Sequence, residues 1–299
     1  MRNLRTFLPA MAVAGLFVSC KTSTTGTDSD APYFPSFSSV TVNHQTIDLA
    51  LIPTRAVDSA RATLRIAYGH TSHGSQLVTG MTALAAVKGE AFRFNNSGSG
   101  GALTLHDTPF SGASDLGNPD RVSWAAATRS YLTANSDVNV VIWSWCGEVS
   151  NASEADIETY LSLMNGLEHD YPAVRFVYMT GHLDGTGLDG TLHKRNDQIR
   201  AYCAANNKSL FDFEDIESYD PDGKYFGDKL PNDNCDYDSN GDGSLDGNWA
   251  IEWQQSHPGQ WYACDAAHSQ PLNANMKAYA AWWLWVRLAG WPGAGDEPF

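Results

Sequence analysis

Apolar residues recur in two rhythms along this chain. Short apolar runs at residues 64–68, 138–143 and 174–179 have the length and β-branched content of strands covered on both faces. Between them, apolar positions three and four apart, such as Leu77, Val78, Met81 and Leu84, set out helices. The pattern predicts a surface segment at 40–53, then helix 55–63, strand 64–68, helix 74–87 and strand 91–94. Helix 119–134, strand 138–143, a helix starting at Ser153, strand 174–179, helix 192–205 and strand 209–213 follow, and a helix at 272–289 ends the domain. Residues 103–120, punctuated by Pro109, Gly112, Gly117 and Pro119, read as irregular. Strands alternating with helices predict βαβ units and a five-stranded parallel sheet inside a three-layer α/β/α sandwich. Residues 219–259 leave this rhythm; rich in Asp, Asn, Gly and Pro, they predict an elaborated loop before the last helix.

The first residues stand outside the pattern. Arg2 and Arg5 precede an apolar run at 7–18 too short to span a bilayer, as in an export signal. Phe17-Val18-Ser19-Cys20 resembles a bacterial lipobox, which implies cleavage after residue 19, lipid on Cys20 and anchoring to a membrane, by family habit the outer one. Residues 20–39 have the composition of a flexible tether, leaving 40–299 as one domain. The formal charge of −15 disfavours nucleic acid and anionic substrates, and suits an exported enzyme working on neutral material. The many tryptophans suit core packing or stacking on sugar rings. Without Cys20, four cysteines remain, allowing three pairings. Cys235 with Cys264 is the expected disulfide, since the two bracket the loop-rich insertion, while Cys146 and Cys203 pair or stay free.

Candidate chemistry concentrates where strand 64–68 breaks into Gly69-His70-Thr71-Ser72-His73-Gly74-Ser75. Hydroxyls and imidazoles on a strand-to-helix turn occupy the place where open α/β sheets build their sites. Ser72 or Ser75 as a plain helix N-cap is the competing reading. Asp265 and His268, three apart before the last helix, supply an acid and a base of the kind acyl transfer needs.

In its order of elements over 64–291 the chain resembles the SGNH, or GDSL-like, hydrolases. The resemblance implies a flavodoxin-like five-stranded sheet and a serine esterase, with Ser72 as nucleophile, His268 as general base and Asp265 as its orienter. Gly69-His70-Thr71-Ser72 stands where the family has Gly-Asp-Ser; strict register selects Thr71, but Ser72 carries the less hindered hydroxyl. The oxyanion glycine is expected at Gly98, in the 95–101 loop after the second strand. The family's asparagine after the third strand is replaced by Trp145-Cys146-Gly147-Glu148, with Asn151 late, so a backbone amide at Cys146 or Gly147 is expected to serve.

Asp238-Ser239-Asn240-Gly241-Asp242-Gly243-Ser244-Leu245-Asp246 matches the first part of a calcium loop. Asp238, Asn240, Asp242 and Asp246 are the expected ligands of a structural calcium ion; Trp249 stands at the usual bidentate Glu, and Glu252 lies just beyond. No organic cofactor is expected. The sequence thus points to a lipid-anchored esterase acting on an acylated carbohydrate or another small ester. Two other readings stay open: a non-catalytic glycan-binding surface lipoprotein, and a metal-dependent hydrolase using His70, His73, His182 and His193 with Asp184 and Asp189.

Overall fold

A computed structural model describes residues 37–294; the lipobox-like segment and most of the tether lie outside the described residues. The elements in chain order begin with β1 (Thr41–Val42), α1 (Thr54–Thr63), β2 (Arg65–Gly69), α2 (Ser75–Lys88), β3 (Phe94–Asn95) and β4 (Leu103–Asp107). Then come α3 (Ser123–Ala134), β5 (Val140–Trp143), α4 (Glu154–Asp170), β6 (Arg175–Met179), α5 (Thr191–Ala205), β7 (Ser209–Phe211) and α6 (Phe213–Glu217). A small hairpin of β8 (Asp236–Tyr237) and β9 (Gly247–Asn248), then α7 (Trp249–Ser256) and α8 (Pro271–Leu288), complete the described chain.

The central sheet has seven strands, all parallel, in the order β1-β7-β6-β5-β2-β4-β3. The expected five-strand count is therefore corrected. β4 arose within the stretch read as irregular, because its burial falls on Leu103, Thr104 and Leu105 only, too short a run to stand out beside the following Pro and Gly. β1 arose within the presumed surface segment, where Val40 and Val42 are buried against β7.

Alternation along the strands feeds two separate cores, as the pleat requires. Ile66, Tyr68, Val140, Ile142, Val177 and Met179 join α1, α2 and α8 on one face. Ala67, Val141, Trp143, Phe176 and Tyr178 join α3, α4 and α5 on the other. α2 lies along α8, and Gly80 permits it: a Cβ there would stand 2.1 Å from the Ala274 carbonyl oxygen. The tryptophans mostly serve this packing, since Trp124, Trp143, Trp145, Trp249, Trp282 and Trp285 are buried. The expected Cys235–Cys264 disulfide is absent; Cys146, Cys203, Cys235 and Cys264 are all free thiols. Cys235 Sγ instead meets Ser269 Oγ at 3.5 Å, and Cys264 Sγ meets the Pro271 carbonyl at 3.7 Å. Burial pushes the Cys235 thiol up to about 12 and the Cys264 thiol up to about 11.

Under the carboxyl end of the sheet lies a fully buried ion pair. Lys277 of α8 bonds Glu217 of α6, and donates to Gln76 Oε1 of α2 at 2.5 Å. Gln76 Nε2 donates to the Ala267 carbonyl at 2.5 Å, and Glu217 accepts from the Leu183 amide at 2.9 Å and from Asn273 Nδ2 at 3.1 Å. Burial pushes the Lys277 ammonium below its ordinary range while Glu217 pulls it back. Removing one partner of such a pair strands a charge in the core. We therefore expect Lys277→Met to cost roughly 3–5 kcal/mol in urea denaturation; a loss under about 1 kcal/mol, the worth of a surface pair, would refute the ion pair's structural role.

Candidate active site

The chain leaves β2 inside the sheet, with β4 on one side and β5 on the other. This reversal of strand order opens a crevice beyond the carboxyl ends. Gly69 ends β2 against Trp143; a Cβ there would meet the indole at 2.2 Å, so the turn into the site needs glycine. The next residues form a tight turn, with Ser72 at φ 37, and α2 begins at Ser75. A non-glycine residue held at positive φ stores about 1–3 kcal/mol of strain, and such strain gathers at functional sites. Neither Ser72 nor Ser75 caps α2 through its side chain; Ser75 Oγ donates to the Ser72 carbonyl at 2.6 Å. That observation settles the N-cap alternative.

Ser72 Oγ and His268 Nε2 are hydrogen-bonded, across 196 residues of chain. His268 also holds positive φ, 61°, in the loop before α8. Its neighbours are fixed from the core: Ala267 through Gln76, and Ser269 through Asn273 Nδ2 at 2.8 Å. Thr71 does not compete, because its hydroxyl donates to Asp115 Oδ2 at 2.5 Å.

Asp265 is not brought onto His268. It is exposed, and makes neither a hydrogen bond nor an ion pair with the imidazole, the chain having turned at His268 into the left-handed region. The carboxylate beside His268 is Asp233, from the loop before β8: an oxygen of Asp233 and ring nitrogens of His73 and His268 lie within 4.8 Å of one another. Asp233 Oδ2 bonds His73 Nε2 at 2.9 Å. Burial tends to raise the Asp233 carboxyl, but the bond from His73 and the nearby imidazoles hold it below the ordinary range. His73 is buried between two rings, stacked on His182 at 3.5 Å and on His268 at 4.5 Å. Its Nδ1 faces Cys146 Sγ at 3.6 Å. No spacing in the sequence marks Asp233, which lies 160 positions from His73 inside the insertion.

The expected oxyanion positions fare differently. Gly98 is displaced from the site: β3 pairs with the first residues of β4, so their connection turns back near the strands' amino ends, where Gly101 accepts from Arg61 Nε at 2.5 Å. A Cβ at Gly98 would sit 2.4 Å from Thr104 Oγ1. Gly147 follows β5, is exposed, and has open space around it. The Cys146 amide is taken by Glu148 Oε2 at 2.9 Å and so is not free to serve, while Asn151 is held through its Oδ1, which accepts from Arg121 Nη2 at 2.9 Å. In the Ser72 turn the first amide to find a carbonyl is that of Gly74, on Thr71 at 2.9 Å. Among the described residues no backbone carbonyl accepts the amides of Ser72 and His73, as at any helix start. A cavity of about 310 Å³ adjoins the turn, lined by Thr71, Thr108, Phe110, Ala113 and Trp143 among others, with Phe110 stacked on Trp143 at 4.2 Å.

The four histidines considered as metal ligands divide. His73 and His182 join His268 at the site. His70 bonds Asp107 at 2.7 Å, at the end of β4. His193 pairs with Glu214 at 3.0 Å on α5, while Asp184 accepts from Thr186, and the Asp189 carbonyl accepts from Lys194. In the acidic loop, Asp238 accepts the amides of Gly241 at 2.7 Å and Gly243 at 2.8 Å, Asp242 accepts that of Ser244, and Asp246 accepts that of Ser239 and Asn240 Nδ2. Glu252 is engaged by Tyr237 and Asn248. Among the described residues the loop's three carboxylates do not converge as a group of ligand atoms, whereas two other groups do: His73 with Asp233 and His268, and Asp115 with Cys146 and Glu148.

No protein-family model matches the chain, and comparison with curated proteins returns no match.

Burial holds the His73 imidazole below its ordinary value, against the pull of Asp233. The folded chain thus carries less charge on His73 than the unfolded chain just below about pH 6.5. Its contribution to stability is present above that pH and is lost as pH falls through the folded-state value. His73→Gln should flatten the fall in urea midpoint between about pH 7 and 5; an unchanged profile would show that another group carries it.

Proposed function

We propose that the chain is a serine ester hydrolase whose nucleophile is Ser72. The observation that carries this reading is the Ser72–His268 hydrogen bond, made by two residues each held at positive φ beyond the end of β2. His268 Nε2 would take the proton as Ser72 Oγ attacks the ester carbonyl, then return it to the departing alcohol; water, deprotonated by the same nitrogen, would release the acid. The amides of Ser72 and His73, with that of Gly147, are the donors offered to the developing oxyanion. Asp233 takes the orienting role expected of Asp265, through its contact with His73 and its place beside His268. One side of the ester would lie in the cavity walled by Phe110 and Trp143.

The strand order supports the SGNH-type, flavodoxin-like assignment: without the two-residue edges β1 and β3, the sheet runs β7-β6-β5-β2-β4, the first long strand lying one place in from the edge. An acylated carbohydrate is the proposed substrate on the strength of the family resemblance. Export and a lipid anchor rest on Cys20 and the residues before it; no helix among the described residues is long and apolar enough to cross a membrane. Structural calcium at the 238–246 loop belongs to the same reading and rests on its oxygen-rich spacing.

The test is hydrolysis of a chromogenic acetate ester. Ser72→Ala and His268→Ala should each lose about a thousand-fold or more in kcat. Thr71→Val and Asp265→Ala should stay within a few-fold of the parent, and Asp233→Asn should fall well below it. Activity surviving in Ser72→Ala, or lost in Asp265→Ala but not in Asp233→Asn, would overturn this assignment. Melting in calcium and in EGTA, run alongside, should show a lower Tm on chelation; equal values would remove calcium from the account.

A further inference from the structure

The triangle of His73, Asp233 and His268 has a second capacity. Two imidazole nitrogens and one carboxylate oxygen lie within 4.8 Å of one another, drawn from three distant parts of the chain. Two nitrogens and one oxygen suit a borderline ion such as Zn²⁺, and three protein ligands leave a fourth position open. A tetrahedral zinc ion with bonds of about 2.0–2.2 Å holds its ligand atoms roughly 3.3–3.6 Å apart. The observed separations are near enough for small side-chain rotations to close the site. The donors are also supported from outside. His73 is buried and fixed between His182 and His268, and its other nitrogen faces Cys146 Sγ at 3.6 Å, as metal-binding histidines use the second nitrogen for orientation. His182, directly beneath, donates through Nδ1 to the Leu183 carbonyl at 2.7 Å, and that residue's amide is held by Glu217. The same buried network thus steadies both His182 and the loop bearing His268.

We infer that His73, Asp233 and His268 form a binding site for a transition-metal ion of the Zn²⁺ class, and that its occupation switches off Ser72. The second half rests on the esterase reading; the first does not. Inhibition follows whichever nitrogen of His268 binds. If Nε2 binds, its lone pair belongs to the metal and cannot accept the Ser72 proton. If Nδ1 binds, the neutral ring carries its proton on Nε2 and can only donate to Ser72. In both cases the general base is lost, and so is the contact between Asp233 and His73.

The probe is Co²⁺, read by its visible absorption, with Zn²⁺ displacing it in competition. One ion per chain should bind, giving the spectrum of a four- or five-coordinate site without a thiolate band. Asp233→Asn, nearly isosteric, and His73→Gln should each weaken binding about ten-fold or more, as even the loss of a supporting group does at metal sites. Cys146→Ser, which keeps a hydrogen-bonding atom beside His73 Nδ1, should bind within a few-fold of the parent. Zn²⁺ at one equivalent should abolish ester hydrolysis in the parent, EDTA should restore it, and His73→Gln should need at least ten-fold more Zn²⁺ for the same inhibition. Binding lost in Cys146→Ser but kept in Asp233→Asn would put the ion at Asp115, Cys146 and Glu148 and overturn the assignment. Activity that rises with Zn²⁺ and falls on chelation would overturn the inhibitory role. A chain with no hydrolase activity that still loses the Co²⁺ spectrum in Asp233→Asn would sink the esterase reading and leave the metal site standing.

Discussion

The buried contact between Lys277 and Glu217 is the constraint on which the site depends. An ammonium and a carboxylate removed from water are tolerated only when every remaining donor and acceptor is satisfied. Here the satisfying groups are the parts that must be positioned. Gln76 lies four residues past Ser72 and reaches the Ala267 carbonyl. Asn273 reaches Ser269, on the other side of His268. Leu183 follows His182, the lowest ring of the imidazole stack. One charge pair therefore ties together α2, α6, α8 and the loops bearing the proposed nucleophile and base. Replacing the pair with apolar side chains could preserve stability, yet would release the carbonyl and hydroxyl that hold His268 in place.

Strain and polarity at the surface of this network have a common logic. Ser72 and His268 occupy backbone conformations that an L-residue adopts only under constraint, and each is held there by bonds running back into the core. The stacked rings of His182, His73 and His268 form a column of imidazoles with Asp233 at its side. Such a column can manage a proton, as ester hydrolysis needs, or bind a metal ion. The two uses exclude each other, because both draw on the same lone pairs.

Much of the architecture was legible in the sequence. The apolar runs at 64–68, 138–143 and 174–179 became β2, β5 and β6, and Ser153 does cap α4, through a reciprocal bond with Asp156. Ser72 and His268 could be named because each sits at the end of a recognisable element. What stayed hidden has physical causes. β4 buries only Leu103, Thr104 and Leu105 and is followed by turn-forming residues, so it is marked by its pairing with β2 and β3 and not by its own pattern. Gly98 follows the second strand of the sequence pattern, but in the sheet it is β4, not β3, that lies beside β2. Asp265 is three residues from His268 in sequence, but the chain enters the left-handed region at His268 and the exposed Asp265 makes no bond to the imidazole. Asp233 lies in an irregular insertion where no periodicity links a residue to a face. The expected disulfide failed because Cys235 and Cys264 are each packed against groups of their own.

The central claim is that the hydroxyl of Ser72, activated by His268, is the nucleophile. Its most direct measurement is covalent trapping by a fluorophosphonate, with the adduct located by peptide mass spectrometry. A single adduct on Ser72, formed by the parent and far more slowly by His268→Ala, is the predicted result. An adduct on Thr71, or no Ser72 adduct from a folded chain under conditions that label an ordinary serine esterase, would contradict the account.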